Sequence, residues 1–443
     1  MLPKPVARGC VFRALWIYFC FVSGTAGLAL IVGYALSWWR WRSEDRAWAE
    51  HGASAERFAS EHPVTRDSPA ALRLDELTRA IGIESIPRDK VAGRRVLDMA
   101  KDPALKAIQA HLQAIEAIRA DGPLPPMPPE VRAYMQTNAA VLDSIEDHVI
   151  ASRALVFEED VARGPGAPIP ALLGIRSLQN VLLVRAADAL RHEDIARASR
   201  SLEASWTHAQ SFSGRSDLLS QLIGIAVARI QNSILRLWTG PPALWLDRVK
   251  SNDFRTRVLT SYQAEVYGWR EFALRYKGAG DISELDGASP RANTPFDHAF
   301  RFVSTPYIRL SLAGVSEVVR RLREELASGD LCSFDPDKSD ETIKSRFPRW
   351  NILGPIAVPS LFRAWASVRD VSLDSELTGL VIEARQRPRD PPAVGTATPS
   401  RVCGGHAWVY GKAADGRLSI RMEPTEMPAP RKEPWTFALA VTR

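Results

Sequence analysis

The sequence predicts a mainly α-helical protein with one N-terminal transmembrane helix, a soluble domain of repeat-like helical hairpins and a small C-terminal antiparallel β-sheet. Three observations support this class. Residues 14–39 contain no charged side chain. Residues 43–387 repeat apolar side chains at the 3.6-residue period of amphipathic helices. Residues 401–443, which follow a proline-rich linker at 388–400, change to the two-residue alternation of strands.

The apolar stretch 14–39 follows a short basic tail, residues 1–13. It exceeds the ~20 residues that a helix needs to cross a bilayer. Aromatic residues stand near both ends, as they do at the depth of lipid head groups: Trp16, Tyr18, Trp38, Trp39 and Trp41. A cleaved signal peptide is the alternative, but its apolar core would be shorter, and no small-x-small cleavage site followed by polar chain precedes Trp41. The sequence therefore favours an uncleaved, single-span anchor.

The orientation of this anchor follows from the charges beside it. Basic residues lie on both sides of the span: Lys4, Arg8 and Arg13 before it, and Arg40, Arg42 and Arg46 after it. The positive-inside rule counts only basic residues, so the two sides nearly balance. The N-terminal side is purely basic, whereas Glu44 and Asp45 follow the span. We expect the N-terminus on the cytoplasmic side of the cell membrane and the domain on the outer side, which is the periplasm in a Gram-negative cell.

The formal net charge of +6 does not indicate a nucleic-acid-binding protein. Five of the 57 basic residues lie in the first 42 positions, which hold none of the 51 acidic residues. The rest of the chain is therefore close to neutral, and we predict no nucleic-acid partner. The bias of arginine over lysine favours a bacterial protein.

The helical body opens with residues 43–61, a charged segment that we expect to continue the anchor outward as a helix. Ser68-Pro69 and Asp102-Pro103 each combine a capping side chain with a proline suited to the first turn, so a helix should begin at both points. Proline-rich residues 123–129 form an extended spacer. Glycine and proline at 164–170 end this first group of helices.

Further helices are predicted beyond this point. Ser216 is predicted to cap the next helix, which is apolar on nearly all sides and therefore expected to be central to the fold. Residues 253–277 form a helix with one apolar face. Residues 278–296 form a polar loop long enough to cover or gate a neighbouring surface. Residues 360–387 give the last helix of the body.

Residues 171–211 predict a helical hairpin whose two helices meet at a polar turn. The phrase ADALRHEDIARASRSLEAS resembles the junction between the paired helices of tetratricopeptide-like repeats. In that resemblance Ala187 and Leu190 precede the turn, and Ala196 or Ala198 seats the second helix. The resemblance covers about 40 residues, and no regular period of about 34 residues occurs elsewhere. It implies stacked helical pairs, with an ordinary antiparallel helix pair as the alternative.

The C-terminal segment predicts three short strands. HAWVY, RLSIRM and WTFALAV alternate large apolar residues with small or polar ones, and Asp415-Gly416 marks a turn between the first two. A sheet of this size must pack on the helical body to be stable.

Residues 403–406, Cys-Gly-Gly-His, come nearest to a reactive site. The glycines can bring His406 to Cys403, which would activate a thiolate, or the two residues can form half of a zinc site. Cys332 is the only other cysteine beyond the anchor region, so a Cys332–Cys403 disulfide is the favoured alternative, and an unreactive thiol is the third. No other catalytic, metal-binding or nucleotide-binding motif occurs, so no cofactor and no metal are expected.

Glu265 is the one carboxylate that stands out. It lies three residues after Tyr262 and four before Trp269, within an apolar helical face. A desolvated glutamate has a raised pKa and can act as an acid or base, or receive a basic ligand. The alternatives are a residue at the rim that pairs with a neighbouring arginine, or a carboxylate whose single buried hydrogen bond fixes the packing. His208 is a candidate to approach it, or else a hydrogen-bonded core histidine.

Three functional hypotheses follow. The leading one is a non-enzymatic interaction or scaffold protein of the cell envelope, held by one membrane span and bound to another protein. The alternative is an envelope hydrolase that uses Glu265 or Cys403 and His406. The third is a component of a secretion or pilus-like assembly, because a long helix followed by a short antiparallel sheet resembles the pseudopilin body, although the prepilin N-terminal motif is missing. The oligomeric state is not predicted.

Overall fold

The chain begins with one long helix, α1 (Arg8–Glu50), whose 43 residues span about 65 Å at 1.5 Å per residue. The computed structural model describes residues 8–87, 102–152, 155–241, 243–276, 295–333, 336–387, 392–424 and 435–439. The chain has an N-terminal apolar helix, is mainly helical after it and ends in a small antiparallel sheet, so the predicted fold class is confirmed. That α1 crosses a membrane and that the hairpins are repeats stay predictions. The predicted loop at 278–296 lies almost entirely outside the described residues.

The helices after α1 are α2 (Ala55–Glu61), α3 (Pro69–Arg79), α4 (Pro103–Glu116), α5 (Pro129–Thr137), α6 (Ala139–Ala151), α7 (Leu172–Arg191), α8 (Ile195–Ser213), α9 (Leu218–Leu235), α10 (Ala243–Ser251), α11 (Phe254–Arg275), α12 (Pro295–Ser328), α13 (Pro336–Arg346), α14 (Leu353–Ala357) and α15 (Pro359–Gln386). A 3₁₀ segment, Val161–Gly166, lies between α6 and α7. We call all of the chain from α2 onward the body.

Helix starts in the body follow their capping side chains. The Ser68 hydroxyl accepts a hydrogen bond from the Ala71 N–H at 3.1 Å, and the Asp102 carboxylate accepts one from the Ala104 N–H at 2.8 Å. The predicted starts of α3 and α4 are therefore confirmed. The predicted cap of α9 is wrong by one residue, because Asp217, and not Ser216, accepts from the Ser220 N–H at 2.8 Å. The predicted helix over 43–61 is divided in two at Gly52, which has a φ of 67° that favours a residue without a Cβ.

Two large hydrophobic cores and one smaller cluster lie in the described part of the body, and α9 contributes to both large cores. One core lies among the helices from α3 to α10, and the other joins α9, α11, α12 and α15 to the sheet. Ile234 of α9 is buried in the first core, and Ile225 is buried in the second. The two-sided burial explains why this helix is apolar on nearly all sides, as its predicted central position requires.

The helices α7 and α8 form the predicted hairpin, joined by residues 192–194. Glu193 takes a φ of 60° in this turn. Ala187 is fully buried where the helices meet. Of the two alanines considered for the second helix, Ala198 is buried and Ala196 is exposed. Small residues at the contact allow the two helices to approach closely.

The sheet has four strands in the order β1 (Ala397–Pro399), β2 (Ala407–Lys412), β3 (Leu418–Glu423) and β4 (Thr436–Leu439), and every pair is antiparallel. The prediction of three strands missed β1, which lies within the predicted linker 388–400. Three residues are too few to show an alternation, and proline belongs at a sheet edge, where Pro399 stands. At the opposite edge the Ala438 N–H donates to the Arg119 carbonyl at 2.9 Å, which ties the sheet to the body.

Candidate functional site

A cavity of about 210 Å³ opens beside the carboxylate of Glu265. We call it the Glu265 cleft. The 3₁₀ segment and the loop after it form one wall, α11 forms another, and the start of α9 closes the end. Its lining residues are Glu159, Val161, Gly164, Ala167, Pro168, Ile169, Arg215, Asp217, Leu219, Ala264, Glu265, Gly268 and Trp269.

Two glycines set the distance between the walls of the cleft. Gly164, in the 3₁₀ segment, has a φ of 61°, and a Cβ at this position would lie 2.6 Å from the Gly268 carbonyl oxygen on α11. Any side chain at Gly164 would therefore push the wall away from α11. The glycine-rich stretch 164–170, predicted only as the end of a helical group, thus forms part of the cleft.

Arg215 holds the two sides of the cleft together. Its Nε donates to the Asp217 carboxylate at 2.8 Å and to the Ser220 hydroxyl at 3.0 Å, both at the start of α9. Its Nη1 donates to the Glu158 carbonyl at 2.8 Å, on the segment that leads into the 3₁₀ wall. Glu159 in turn accepts from the Ser216 N–H at 2.8 Å. The cleft is therefore fixed by charge-assisted hydrogen bonds before any ligand arrives.

Burial, with a smaller contribution from the negative charge of Asp217, raises the pKa of Glu265 from its ordinary value of 4.5 to about 7. The backbone N–H of Leu218, the first residue of α9, hydrogen-bonds the carboxylate and acts in the opposite direction. The group therefore stands near the midpoint of its titration at neutral pH. It can exchange a proton there, or become fully ionised beside a bound cation.

The environment of His208 is that of a core histidine. Its ring is fully buried, with Gln179 Nε2 at 2.9 Å from Nδ1 and the edge of Phe212 at 5.1 Å between ring centroids. Burial lowers the pKa of His208 to about 3, so the ring is neutral at neutral pH. His208 is not among the residues that line the Glu265 cleft. The structure does not join the two residues into one site.

The structure brings Cys332 and Cys403 together, with Cα atoms 5.1 Å apart and the Sγ atoms joined. This separation lies within the range that a disulfide requires. Asp330 supports the approach, because its carboxylate accepts from the Cys332 N–H at 3.0 Å and from the Gly404 N–H at 2.9 Å. A Cys403 bonded in this way has no thiolate for His406 to activate. The oxidised state of the pair in the cell stays a prediction.

A second cavity, of about 250 Å³, lies between α10, α15 and strands β1 and β2. Glu376 lies in its wall and accepts three hydrogen bonds, from the Ser400 hydroxyl at 2.6 Å, the Arg401 N–H at 2.6 Å and the Trp408 indole at 2.9 Å. Its acceptor capacity is largely used in fastening the sheet to α15. The sequence gives no signal for this residue, since none of its partners is near it in the chain.

The described residues contain no group of three or more histidine, cysteine, aspartate or glutamate side chains able to hold a metal ion. Comparison with known proteins does not extend the assignment: no family model, no curated protein and no solved structure matches the chain. The resemblance of residues 171–211 to tetratricopeptide-like repeats stays a prediction.

Proposed function

We propose that the chain is a single-pass membrane protein whose body, held outside the membrane, binds another protein without catalysing a reaction. The observation that carries the proposal is the change of surroundings along α1. The apolar part of α1 is exposed: Phe21, Leu28 and Ile31 are 68, 63 and 68% exposed. Its last turns are buried in the body along one face: Ser37, Trp41, Glu44 and Trp48. Lipid is the environment that would cover the bare part.

Only two helices among the described residues are long and apolar enough to cross a membrane, α1 and α9. Most of α9 is buried inside the body, as expected of a core helix, whereas 6% of the apolar window in α1 is buried. This contrast favours α1 as the anchor and α9 as a part of the soluble fold.

Polar contacts lock the end of α1 into the body. Arg270 of α11 holds both carboxylate oxygens of Asp45, at 2.8 and 3.0 Å, and Arg320 of α12 lies 3.3 Å from Glu44. Burial raises the pKa of the Glu44 carboxyl, although Arg320 beside it acts in the opposite direction. A buried pair of this kind is costly to break, so the anchor is not a flexible tether. The body would face its partner in one fixed orientation.

The Glu265 cleft is the surface that we assign to the partner. Its walls are mainly apolar, and Ile169 and Leu219 stand exposed at its rim. A carboxylate at the bottom of an apolar slot suits the side chain of a lysine or arginine, whose aliphatic part would contact the walls. The arriving positive charge would also favour ionised Glu265, which burial alone disfavours.

A second candidate function rests on the same carboxylate. A glutamate with a pKa of about 7 is suited to general acid–base catalysis, which supports the hydrolase hypothesis. Asp217, the acidic neighbour, is already engaged by Arg215 and by the Ser220 N–H. Glu159, the other lining carboxylate, accepts hydrogen bonds from the Ser216 N–H and hydroxyl. Because both neighbouring carboxylates are engaged in this way, they are poorly placed to act with Glu265 as a second acid or base, and binding is the better supported function.

Photo-crosslinking in membranes tests the proposal. A photoreactive residue in place of Leu219, at the rim, should give a discrete protein adduct, and Glu265→Gln should remove that adduct. The matched control is the same residue at Leu72, which is also exposed but lies on α3. Equal adducts at the two positions, or an adduct that survives Glu265→Gln, would contradict the assignment.

The proposed orientation has its own test. A reporter that is active only outside the cytoplasm should be active when it is fused after Arg443. A reporter that is active only in the cytoplasm should be silent at the same position. The reverse pattern would place the body inside the cell.

A further inference from the structure

A third cavity, of about 320 Å³, lies where α1 leaves its apolar stretch and enters the body. We call it the arginine cavity. Arg40 of α1 forms one side, a stripe of α12 forms the floor, and the chain after α13 forms the other side. Its lining residues are Arg40, Leu310, Gly314, Glu317, Val318, Arg321, Arg346, Phe347, Pro348, Trp350 and Asn351.

The depth of this cavity relative to a membrane follows from α1. Arg40 directly follows the apolar stretch, whose last residues, Trp38 and Trp39, are exposed. The N-terminal part of α12 lies beside the final turns of that stretch: the Tyr34 hydroxyl donates to the Phe302 carbonyl at 3.0 Å. Phe302 and Val303 are themselves 57 and 59% exposed. The exposed apolar surface of the anchor therefore continues onto the N-terminal part of α12, beside the cavity.

Aromatic residues on the far side of the cavity extend the same surface. Trp350 and Ile352 are 50 and 67% exposed. Tyr307 of α12 fixes this segment, since its hydroxyl donates to the Trp350 carbonyl at 3.1 Å. Tryptophan and tyrosine concentrate at the depth of lipid head groups. These contacts favour a cavity that opens at the membrane surface.

The charges inside the cavity are predominantly positive. Both oxygens of Glu317 are occupied by arginines: Oε1 accepts from Arg321 at 2.6 Å, and Oε2 accepts from Arg40. Arg346 forms an ion pair with Glu325 at 3.1 Å, and Glu325 does not line the cavity. The carboxylate of Glu317 thus accepts hydrogen bonds from two guanidinium groups, each of which carries five N–H donors. The remaining donors suit a phosphate group, which arginine binds in a bidentate fashion.

We propose that the arginine cavity binds the phosphate of an anionic phospholipid head group and so fixes the body against the membrane. The inference rests on the membrane anchor proposed above. Phosphate is the shared chemistry of a lipid head group and of free inorganic phosphate. The lipid is favoured, because exposed apolar residues continuous with the anchor flank the cavity and would contact acyl chains.

Lipid binding to the full-length protein tests the inference. The protein is purified in neutral detergent, and the retention of phosphatidylglycerol is compared with that of phosphatidylcholine by native mass spectrometry. The variant Arg321→Gln/Arg346→Gln should weaken phosphatidylglycerol binding by about 30-fold, which corresponds to ~1 kcal/mol for each arginine lost near an anionic lipid. The control Arg57→Gln/Arg73→Gln removes two arginines from exposed ion pairs on α2 and α3 and should bind as the wild type does.

Each other outcome overturns the inference. Equal retention of the two lipids by the wild type would mean that the cavity does not select an anionic head group. Equal loss in both double variants would mean a general effect of charge. Displacement of the lipid by millimolar inorganic phosphate would assign the cavity to a small anion. Carbonate extraction of the wild type reports on the anchor alone, so failure of the anchor is distinguished from failure of the cavity.

Discussion

The indole Nε1 of Trp48 donates a 2.9 Å hydrogen bond to the hydroxyl of Ser316, 268 residues further along the chain. Both groups are buried, and the bond joins the end of α1 to the middle of α12. The last turns of α1 are therefore part of the core of the body. Trp41 extends this contact one heptad earlier, where it packs among residues of α11 and α12 that include Ala273 and Leu312.

Truncation of the chain within α1 should show where the part of the helix that stabilises the body begins. A chain that begins at residue 43 should be soluble and helical, but a chain that begins at residue 37 should be more stable, because it keeps Trp41. Loss of a buried tryptophan costs ~3–5 kcal/mol. Thermal unfolding by circular dichroism, with both chains in the same mild detergent, measures the difference. Equal midpoints would show that α1 is a loosely attached tether.

The two halves of α1 differ in how far the sequence predicts them. The apolar half is evident because residues 14–39 carry no charge. The buried part, which overlaps the end of the apolar half at Ser37, is not evident. Its inward face mixes Ser37 and Glu44 with two tryptophans and so resembles a charged solvent-exposed helix. Only the position of α12, far along the chain, explains why Glu44 lies inside.

The stability of the protein should depend on the ionisation of Glu265. Its pKa of about 7 in the folded state exceeds its ordinary 4.5, so the folded state binds the proton more tightly and loses stability as the pH rises between these values. Glu265→Gln should therefore stabilise the protein by ~1–3 kcal/mol at about pH 8 and by little at about pH 4. Urea unfolding at the two pH values measures the effect. A Gln substitution at exposed Glu341 is the control, and it should change the stability equally little at both.

The ionisation of His208 should make the stability depend on pH in the opposite direction. Its pKa of about 3 in the folded state lies below its ordinary 6.5, so the unfolded state binds the proton more tightly. The stability that it contributes is present above pH 6.5 and is lost as the pH falls toward 3. His208→Leu should therefore flatten the acid limb of the stability profile, by up to ~1.4 kcal/mol for each pH unit. If His208→Leu and wild-type protein lose stability in parallel below pH 6, the histidine is not the group that titrates.

The candidate site shows a similar division between what the sequence predicts and what it cannot. Glu265 is visible from the sequence, because a carboxylate interrupts an apolar helical face. The residues that shape the cleft around Glu265 cannot be predicted from the sequence. Arg215, Asp217 and Gly164 come from segments that only the fold brings to α11. A single sequence shows which residue is out of place on a helix, but not which neighbours surround it.

The last prediction concerns the Cys332–Cys403 pair, which closes a loop with a sequence separation of 71 residues. In the chain-entropy model a closure of this length stabilises the folded state by roughly 4 kcal/mol. The double variant Cys332→Ala/Cys403→Ala should lose about that much, as measured by urea unfolding, whereas Cys20→Ala, at an exposed free cysteine, should lose nothing. The sheet should remain folded in the double variant, because Glu376 at one edge and the Ala438–Arg119 hydrogen bond at the other still attach it.

Alkylation of the denatured protein without reductant tests the bond itself. In protein isolated from an oxidising compartment, only the two cysteines of α1, Cys10 and Cys20, should react. Reaction of Cys332 and Cys403 under the same conditions would show that the pair is reduced. The double variant would then be expected to lose only the packing of two small buried side chains, since there would be no closed loop to stabilise the fold.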